Sequence, residues 1–283
     1  MKKTIALAFF ICVQTFTVFA QSKQEVPTQV QLEGAINFRD IGGYTTTDGK
    51  KVVLNKIYRS ADISKLTDND MKELEKRKIY TVIDFRGTAE AAAAPDRLLS
   101  NADYTLCPAG SENVSNGNYK DIVEKLKDEN GSMLDDFYGE ASVQYAGDRF
   151  RKMFYKLLTL EDDKALLYHC TGGRDRTGMA TALILYVLNV PMETIERDYV
   201  ASNGFLKEHR AALPDSKEMF ASIVKATGLS AEEVEKKFEL RPEWIRTFFA
   251  ALNSKYGSVE NFLLEEMNIT SVDIDKLRAK YTK

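Results

Sequence analysis

The sequence predicts an α/β domain with a central, mostly parallel sheet flanked by helices and a helical C-terminal region. Three observations carry that expectation. Ile79–Phe85 and Ala165–His169 are short runs rich in apolar, β-branched and aromatic residues, the composition of strands covered on both faces. Helical patterns alternate with these runs, as crossovers between parallel strands require. From Pro191 onward the pattern is helical alone.

Composition narrows the functional classes. The chain has 283 residues, 44% hydrophobic and 29% charged, inside the globular range. With 16 Gly and 6 Pro it is neither collagen-like nor disordered throughout. Formal charge is −3, so no basic field favours a nucleic-acid partner. Three Cys are too few for a disulfide scaffold. The two His, His169 and His209, exclude a His-rich metal centre; no cofactor and no metal site are expected.

Residues 1–20 carry the pattern of a secretory signal. Lys2 and Lys3 precede an apolar run, Ile5–Val13, and Val18-Phe19-Ala20 offers a cleavage site after Ala20. Gln14, Thr15 and Thr17 break the run short of the roughly 20 residues a spanning helix needs. Ile11 stands where a lipoprotein signal ending at Cys12 would need a small residue. The mature chain is expected to be exported, periplasmic or secreted from a bacterium. It has no transmembrane segment, since the longest apolar stretch, Ala180–Val190, is broken by Asn189.

Residues 21–33 are polar and read as a flexible leader to one domain over 34–283. Asn37–Ser60 reads as short strands and turns, marked by Gly42-Gly43 and Asp48-Gly49. Thr67–Lys78 is a helix opened by a capping box of Thr67 with Asp70. Ala89–Ala94 is a short helix closed by Pro95, and Tyr104–Leu106 a further strand. Pro108–Gly117 reads as a loop, Tyr119–Lys127 and Met133–Leu160 as helical, and Gly110–Gly139 as a lid. Thr177–Asn189 is an apolar helix, and Pro191 starts another. Ser230 with Glu233 and Thr270 with Asp273 make two more capping boxes, which also accounts for the Asp273/Asp275 pair. The Trp244, Phe248, Phe249 and Leu252 stripe reads as core, and His209 has no assigned role.

One segment carries chemistry: His169-Cys170-Thr171-Gly172-Gly173-Arg174-Asp175-Arg176-Thr177-Gly178. It joins a buried strand to a helix, a turn that aims successive backbone N–H groups and a helix N-terminus at one point. Gly172 and Gly173 let the backbone curl without Cβ clashes. The Arg176 guanidinium can fold back to hold two oxygens of a tetrahedral anion. The same groups stabilise a Cys170 thiolate, placing a nucleophile opposite phosphorus.

Cys, five residues, Arg, then Thr is the signature loop of the cysteine-dependent phosphatases, and the chain resembles that superfamily. Asn37-Phe38-Arg39-Asp40-Ile41-Gly42-Gly43, Tyr58-Arg59-Ser60-Ala61, Asp84-Phe85-Arg86 with Glu90, and Asp198-Tyr199 with Ser202-Asn203 are similar, in order, to the bacterial atypical, dual-specificity-like protein-tyrosine phosphatases. The resemblance runs from about Gly34 to Leu264 and implies a tyrosine-phosphatase-like fold. It also implies a phosphorylated protein or phospholipid headgroup as substrate. By that resemblance Cys170 forms a phosphocysteine intermediate, Arg176 binds phosphate with Thr171, Gly172, Gly173 and Arg174, Thr177 stabilises the departing thiolate, and His169 braces the loop. Asp175 is the preferred general acid, ahead of Asp84, Asp136 and Asp148. Phosphoinositide-active relatives often have Lys where this chain has Arg174, which keeps the charge but changes its geometry, so phosphoinositide phosphatase activity stays open as the alternative without being implied.

Competing readings are weighed on the same residues. A sulfurtransferase loop has four residues between Cys and Arg, not five, and a silent phosphate binder would usually have lost Cys170 or Arg176. Asp84 and Arg86 end a strand on the edge facing the loop, which favours lining of the site over a structural ion pair. Arg39 and Asp40 are open between a site role and a turn-stabilising pair. Cys107 reads as a packed thiol, with a reversible disulfide to Cys170 as the sharper alternative.

Overall fold

The computed structural model describes residues 28–111, 123–124, 126–127, 135–210 and 214–283. The signal pattern at 1–20, leader residues 21–27, and most of Tyr119–Lys127 and of the lid segment lie outside them. The chain runs β1 (Thr28–Gln29), β2 (Arg39–Asp40), β3 (Ile57–Ser60), α1 (Asp68–Lys76), β4 (Ile79–Asp84), α2 (Thr88–Ala93) and β5 (Asp103–Leu106). It continues through α3 (Asp135–Tyr138), α4 (Glu140–Thr159), β6 (Ala165–His169), α5 (Asp175–Val187) and α6 (Met192–Arg210). The C-terminal helices are α7 (Pro214–Thr227), α8 (Ala231–Phe238), α9 (Pro242–Tyr256), α10 (Val259–Glu265) and α11 (Ser271–Tyr281).

The strands form one mixed sheet in the order β1-β2-β3-β6-β4-β5, with β3, β6, β4 and β5 parallel and β1 and β2 added antiparallel. Central β6 is buried along its whole length. Its side chains alternate faces: Leu166, Tyr168 and then Cys170 join one apolar cluster, Ala165 and Leu167 the other. In β4, Ile79 and Val82 share a face although three positions apart. A register shift between Ile79 and Thr81 accounts for this by inserting one residue into the alternation.

Helix α5 is buried nearly all round, as its apolar sequence demands, and lies in the larger cluster with α4, α9, α10 and α11. Three boundaries differ from the sequence reading. Thr28–Gln29 pairs with Arg39–Asp40, so the sheet begins inside the segment read as leader. Helix α5 starts at Asp175 rather than Thr177, which puts Asp175 and Arg176 in its first turn. The helical run expected over Met133–Leu160 breaks at Gly139, the extended N-cap of α4. Residues 281–283 pair with residues 51–53: Lys51 and Lys283 exchange N–H···O bonds of 2.7 and 2.9 Å, and Val53 N–H donates to Tyr281 O at 2.8 Å. No helix among the described residues is long and apolar enough to cross a membrane.

Asp70 anchors the start of the domain. Its carboxylate accepts the N–H groups of Thr67, Glu33 and Gly34 at 2.9, 2.8 and 2.8 Å. Gly34 is required there, because a Cβ would lie 1.8 Å from Lys65 O. Burial alone would raise the Asp70 pKa, but these hydrogen bonds hold it below its usual range. A depressed carboxylate stabilises the fold above its unfolded pKa of about 3.9 and ceases to as pH falls through its folded value. Asp70→Ala should therefore cost about 2 kcal/mol at neutral pH. In denaturant titrations the gap to the parent should narrow below about pH 4.

Candidate active site

β6 delivers Cys170 to the carboxyl edge of the sheet, and the chain turns through Thr171–Arg174 into α5. Gly173 has φ +61°, and a Cβ there would lie 2.5 Å from both Ser60 O and Ala61 N, so only glycine fits. None of the N–H groups from Thr171 to Arg176 meets an acceptor among the described residues. Together with the N-terminus of α5, they leave a concave row of donors fit for an anion. The carbonyls of the same peptides are taken up. Gly173 O accepts Asn37 Nδ2 and Arg59 Nη2, both at 2.8 Å, Thr171 O accepts Asp62 N–H at 3.0 Å, and Cys170 O lies 3.3 Å from His169 Nδ1. Cys170 is 2% exposed, and Thr177 Oγ1 donates to its Sγ at 3.2 Å.

Arg176 is held by Glu90. Nη1 and Nη2 donate to the two Glu90 oxygens at 2.7 and 3.1 Å, and Nη1 also donates to Phe85 O at 3.1 Å. Glu90 in turn accepts the Thr171 hydroxyl at 2.6 Å and the Gly87 N–H at 2.8 Å, the latter capping α2. Burial opposes ionisation of Glu90, yet the Arg176 guanidinium and these hydrogen bonds pull its pKa down to about 2. Arg176 is raised: burial opposes its charge, and the neighbouring Cys170 sulfur and Glu90 carboxylate overcome that. The sequence resemblance includes Glu90 but assigns it no role; its signal is a capping position facing the signature loop.

Arg149 was missed altogether. It lies in α4, 1% exposed, with Nε donating to Ala109 O at 2.8 Å and Nη1 unpartnered. Burial and then the like charge of Arg176 push its pKa down to about 10, against the pull of the Cys170 sulfur. A charged residue beside the apolar positions Phe150, Met153 and Phe154 was the signal available.

Asp84 and Arg86 take the ion-pair reading, not the site-lining one. They are 0% and 1% exposed, and Arg86 bridges Asp84, Asp96 and Asp62 at 2.8, 2.7 and 2.6 Å. The reason is strand parity. Asp84 is level with His169, so both point away from the Cys170 face. Asp84, Asp96 and His169 have ligand-type atoms within 4.8 Å of one another, but the Arg86 guanidinium pairs with both carboxylates. His169 Nε2 lies 2.9 Å from Asp96 Oδ2. Burial disfavours a charged imidazole, and Asp96 outweighs it, so the His169 pKa is raised.

A second buried cluster lies on the other side of the loop. Asp198 receives Arg59 Nη1 at 2.7 Å, Arg39 Nε at 3.3 Å and the Tyr44 hydroxyl at 3.0 Å. Arg39 also donates to Ser202 Oγ at 3.1 Å. Arg39 and Asp40 are thus not a turn pair; Asp40 accepts the N–H groups of Gly42 and Asn55 instead. Asn203 exchanges hydrogen bonds with Leu240 through its side-chain amide.

Of the carboxylates weighed as acids, Asp84 is locked in the Arg86 cluster. Asp148 is a surface group paired with Arg151, its side chain 71% exposed. The side chain of Asp136 lies outside the described residues. Asp175 stands beside Arg176 at the loop and accepts the Tyr138 hydroxyl at 2.8 Å. Arg174 Nη2 donates to Phe238 O, while its Nε is buried without a partner among the described residues. A Cys107–Cys170 disulfide does not fit. Cys107 follows β5 and Cys170 follows β6, with β4 between them. That puts them two strand spacings apart, about 10 Å, beyond the reach of a disulfide. Burial also raises the Cys107 thiol to about 11.

Two outcomes follow from these charges. Arg149→Met should weaken inorganic phosphate binding about tenfold by calorimetry, while the thermal midpoint holds or rises because an unpaired buried charge is removed. A raised His169 pKa stabilises the fold below the unfolded value of about 6.5 and is lost as pH rises through the folded value. The stability gap between the parent and His169→Gln should accordingly be larger at pH 6 than at pH 9.

The comparisons with known proteins agree with this geometry. A profile described as the tyrosine phosphatase family matches residues 30–283. The chain is 26% identical over 251 residues to a Cupriavidus necator protein named for tyrosine-protein phosphatase activity, covering 87% of this chain and 85% of that one. It is 27% identical over 228 residues to a tyrosine-protein phosphatase of Nostoc commune, covering 78% and 72%. A triple specificity protein phosphatase, PtpB, of Mycobacterium tuberculosis is 24% identical over 274 residues, covering 88% and 97%. With nearly the whole described domain inside the matched span, the chain belongs to the tyrosine phosphatase family.

Proposed function

We propose that this phosphatase works without a metal, through a Cys170 nucleophile and a phosphocysteine intermediate, on phosphotyrosine and other phosphorylated residues of proteins. The observation that carries the reading is the thiol at the floor of an uncommitted row of N–H groups, with Thr177 donating to its sulfur and Arg176 fixed by Glu90 beside it. The phosphate dianion sits in that row. Cys170 Sγ bonds to phosphorus as the ester P–O bond breaks, and Asp175 protonates the leaving oxygen. Water then attacks phosphorus, Asp175 takes its proton, and the S–P electron pair returns to sulfur, where the Thr177 hydroxyl meets it. The row of amides and Arg176 match the equatorial oxygens of both transition states.

Protein substrates are favoured over phosphoinositides because relatives matched over most of this chain are named tyrosine-protein phosphatases. The signature spacing and the retention of Cys170 and Arg176 weigh against a sulfurtransferase and a silent binder. The N-terminal pattern supports export to the periplasm or medium, and the exported protein should begin at Gln21 on terminal sequencing.

The test is hydrolysis of para-nitrophenyl phosphate in EDTA by the mature protein and by Cys170→Ser. Activity that survives EDTA and disappears in the variant is expected. Loss of activity in EDTA that returns with a divalent cation, or turnover by Cys170→Ser, would overturn the mechanism. A panel of phosphotyrosine, phosphoserine and phosphoinositide substrates then sets the specificity, with phosphotyrosine peptides expected to have the highest kcat/KM.

A further inference from the structure

Tyr199, Tyr138 and Asp175 form a hydrogen-bonded line that neither the signature loop nor the two ion clusters account for. The Tyr199 hydroxyl donates to the Tyr138 oxygen at 2.6 Å, and the Tyr138 hydroxyl donates to Asp175 Oδ1 at 2.8 Å. The two phenols are 1% and 0% exposed. Tyr138 stacks on Trp244 of α9, with centroids 5.9 Å apart and planes 11° from parallel, and meets Tyr199 edge-on at 5.9 Å. Tyr199 lies so close to α5 that a Cβ on Gly178 would come within 2.8 Å of its ring. Packing from α5, α6 and α9 therefore fixes both rings before any ligand arrives.

We propose that Tyr138 is a positioning residue for proton transfer, holding Asp175 by one oxygen so that the other faces the leaving group, with Tyr199 fixing Tyr138. The proposal rests on the reading of Asp175 as general acid. As Cys170 Sγ bonds to phosphorus, the P–O electron pair stays on the leaving oxygen and the Asp175 proton joins it. Asp175 becomes a carboxylate at that moment. A phenol O–H already aimed at Oδ1 meets the new charge without reorganising, which lowers the transition state more than the ground state. Burial raises the pKa of both phenols above the ordinary value, so they stay protonated donors through the working range. The groups facing Asp175 are Tyr138 with Tyr199 behind it, and Arg176, its neighbour in α5.

A purely structural role and a role in proton transfer separate on the basicity of the leaving group. Para-nitrophenolate departs with little help from a proton, whereas phenolate needs one. We would measure kcat/KM, which reports the step that forms phosphocysteine, on para-nitrophenyl phosphate and phenyl phosphate. The variants are Asp175→Asn, Tyr138→Phe, Tyr199→Phe and the Tyr138→Phe/Asp175→Asn double. Asp175→Asn should lose about 100-fold on phenyl phosphate and far less on the nitrophenyl ester. Tyr138→Phe should lose about tenfold on phenyl phosphate while staying within about twofold on the nitrophenyl ester. Tyr199→Phe should move the same way by less, and the double variant should be no worse than Asp175→Asn alone.

Equal losses on the two esters for Tyr138→Phe, beside unequal losses for Asp175→Asn, would leave Tyr138 as packing only and overturn the proposal. Equal losses for Asp175→Asn would remove the general acid itself and the proposal with it. If Tyr138→Phe does not fold, Tyr199→Phe decides by the same ratio, because it removes only the far hydroxyl of the line.

Discussion

A loop that turns its N–H groups toward a bound anion must turn its carbonyls the other way, into the protein, where each needs a donor. Much of the structure around Cys170 answers that requirement. Gly173 O is met by Asn37 and Arg59, Thr171 O by the Asp62 backbone, and Cys170 O by the His169 ring. One of these donors, Arg59, is a cation at 0% exposure, and a buried cation needs a carboxylate. Asp198 serves Arg39 and Arg59, while Asp62, Asp84 and Asp96 serve Arg86 and His169. The Asp198 cluster therefore follows from a backbone held inside out, and the Arg86 cluster touches the same loop through the Asp62 N–H and the His169 ring.

The same bookkeeping explains the charge left at the cradle. Arg176 is offset by Glu90, whereas Arg149 has no carboxylate partner among the described residues. An unpaired guanidinium in the interior destabilises the protein in isolation and is tolerable where an anion is to be accommodated. Stability and function pull against each other at this one position, a conflict that functional sites commonly retain.

The loop was legible in the sequence because its chemistry is local: Cys170, Gly172, Gly173, Arg176 and Thr177 lie within eight consecutive positions. The strands β4 and β6 and the capped helices were legible for the same reason. What could not be read is what distance along the chain conceals. Asp198 meets Arg59 across 139 positions, and Tyr138 meets Asp175 across 37. Asp84 was misjudged because the rule that ligands gather at strand ends says nothing about which face a side chain takes, and parity sends it away from Cys170. Arg149 is not legible because the apolar periodicity of α4 marks the buried face without marking a cation set within it.

The pairing of Lys51–Val53 with Tyr281–Lys283 has a bearing on how the protein comes into being. These segments lie far apart in sequence, so joining them closes a long loop whose entropic cost comes before any gain from the contact. The seam is therefore a late, non-local event of the kind that slows folding. Until it forms, the N–H and C=O of Lys51 and the N–H of Val53 stand open, an edge on which another chain can pair. The seam is thus where partly folded protein is most exposed to unwanted association.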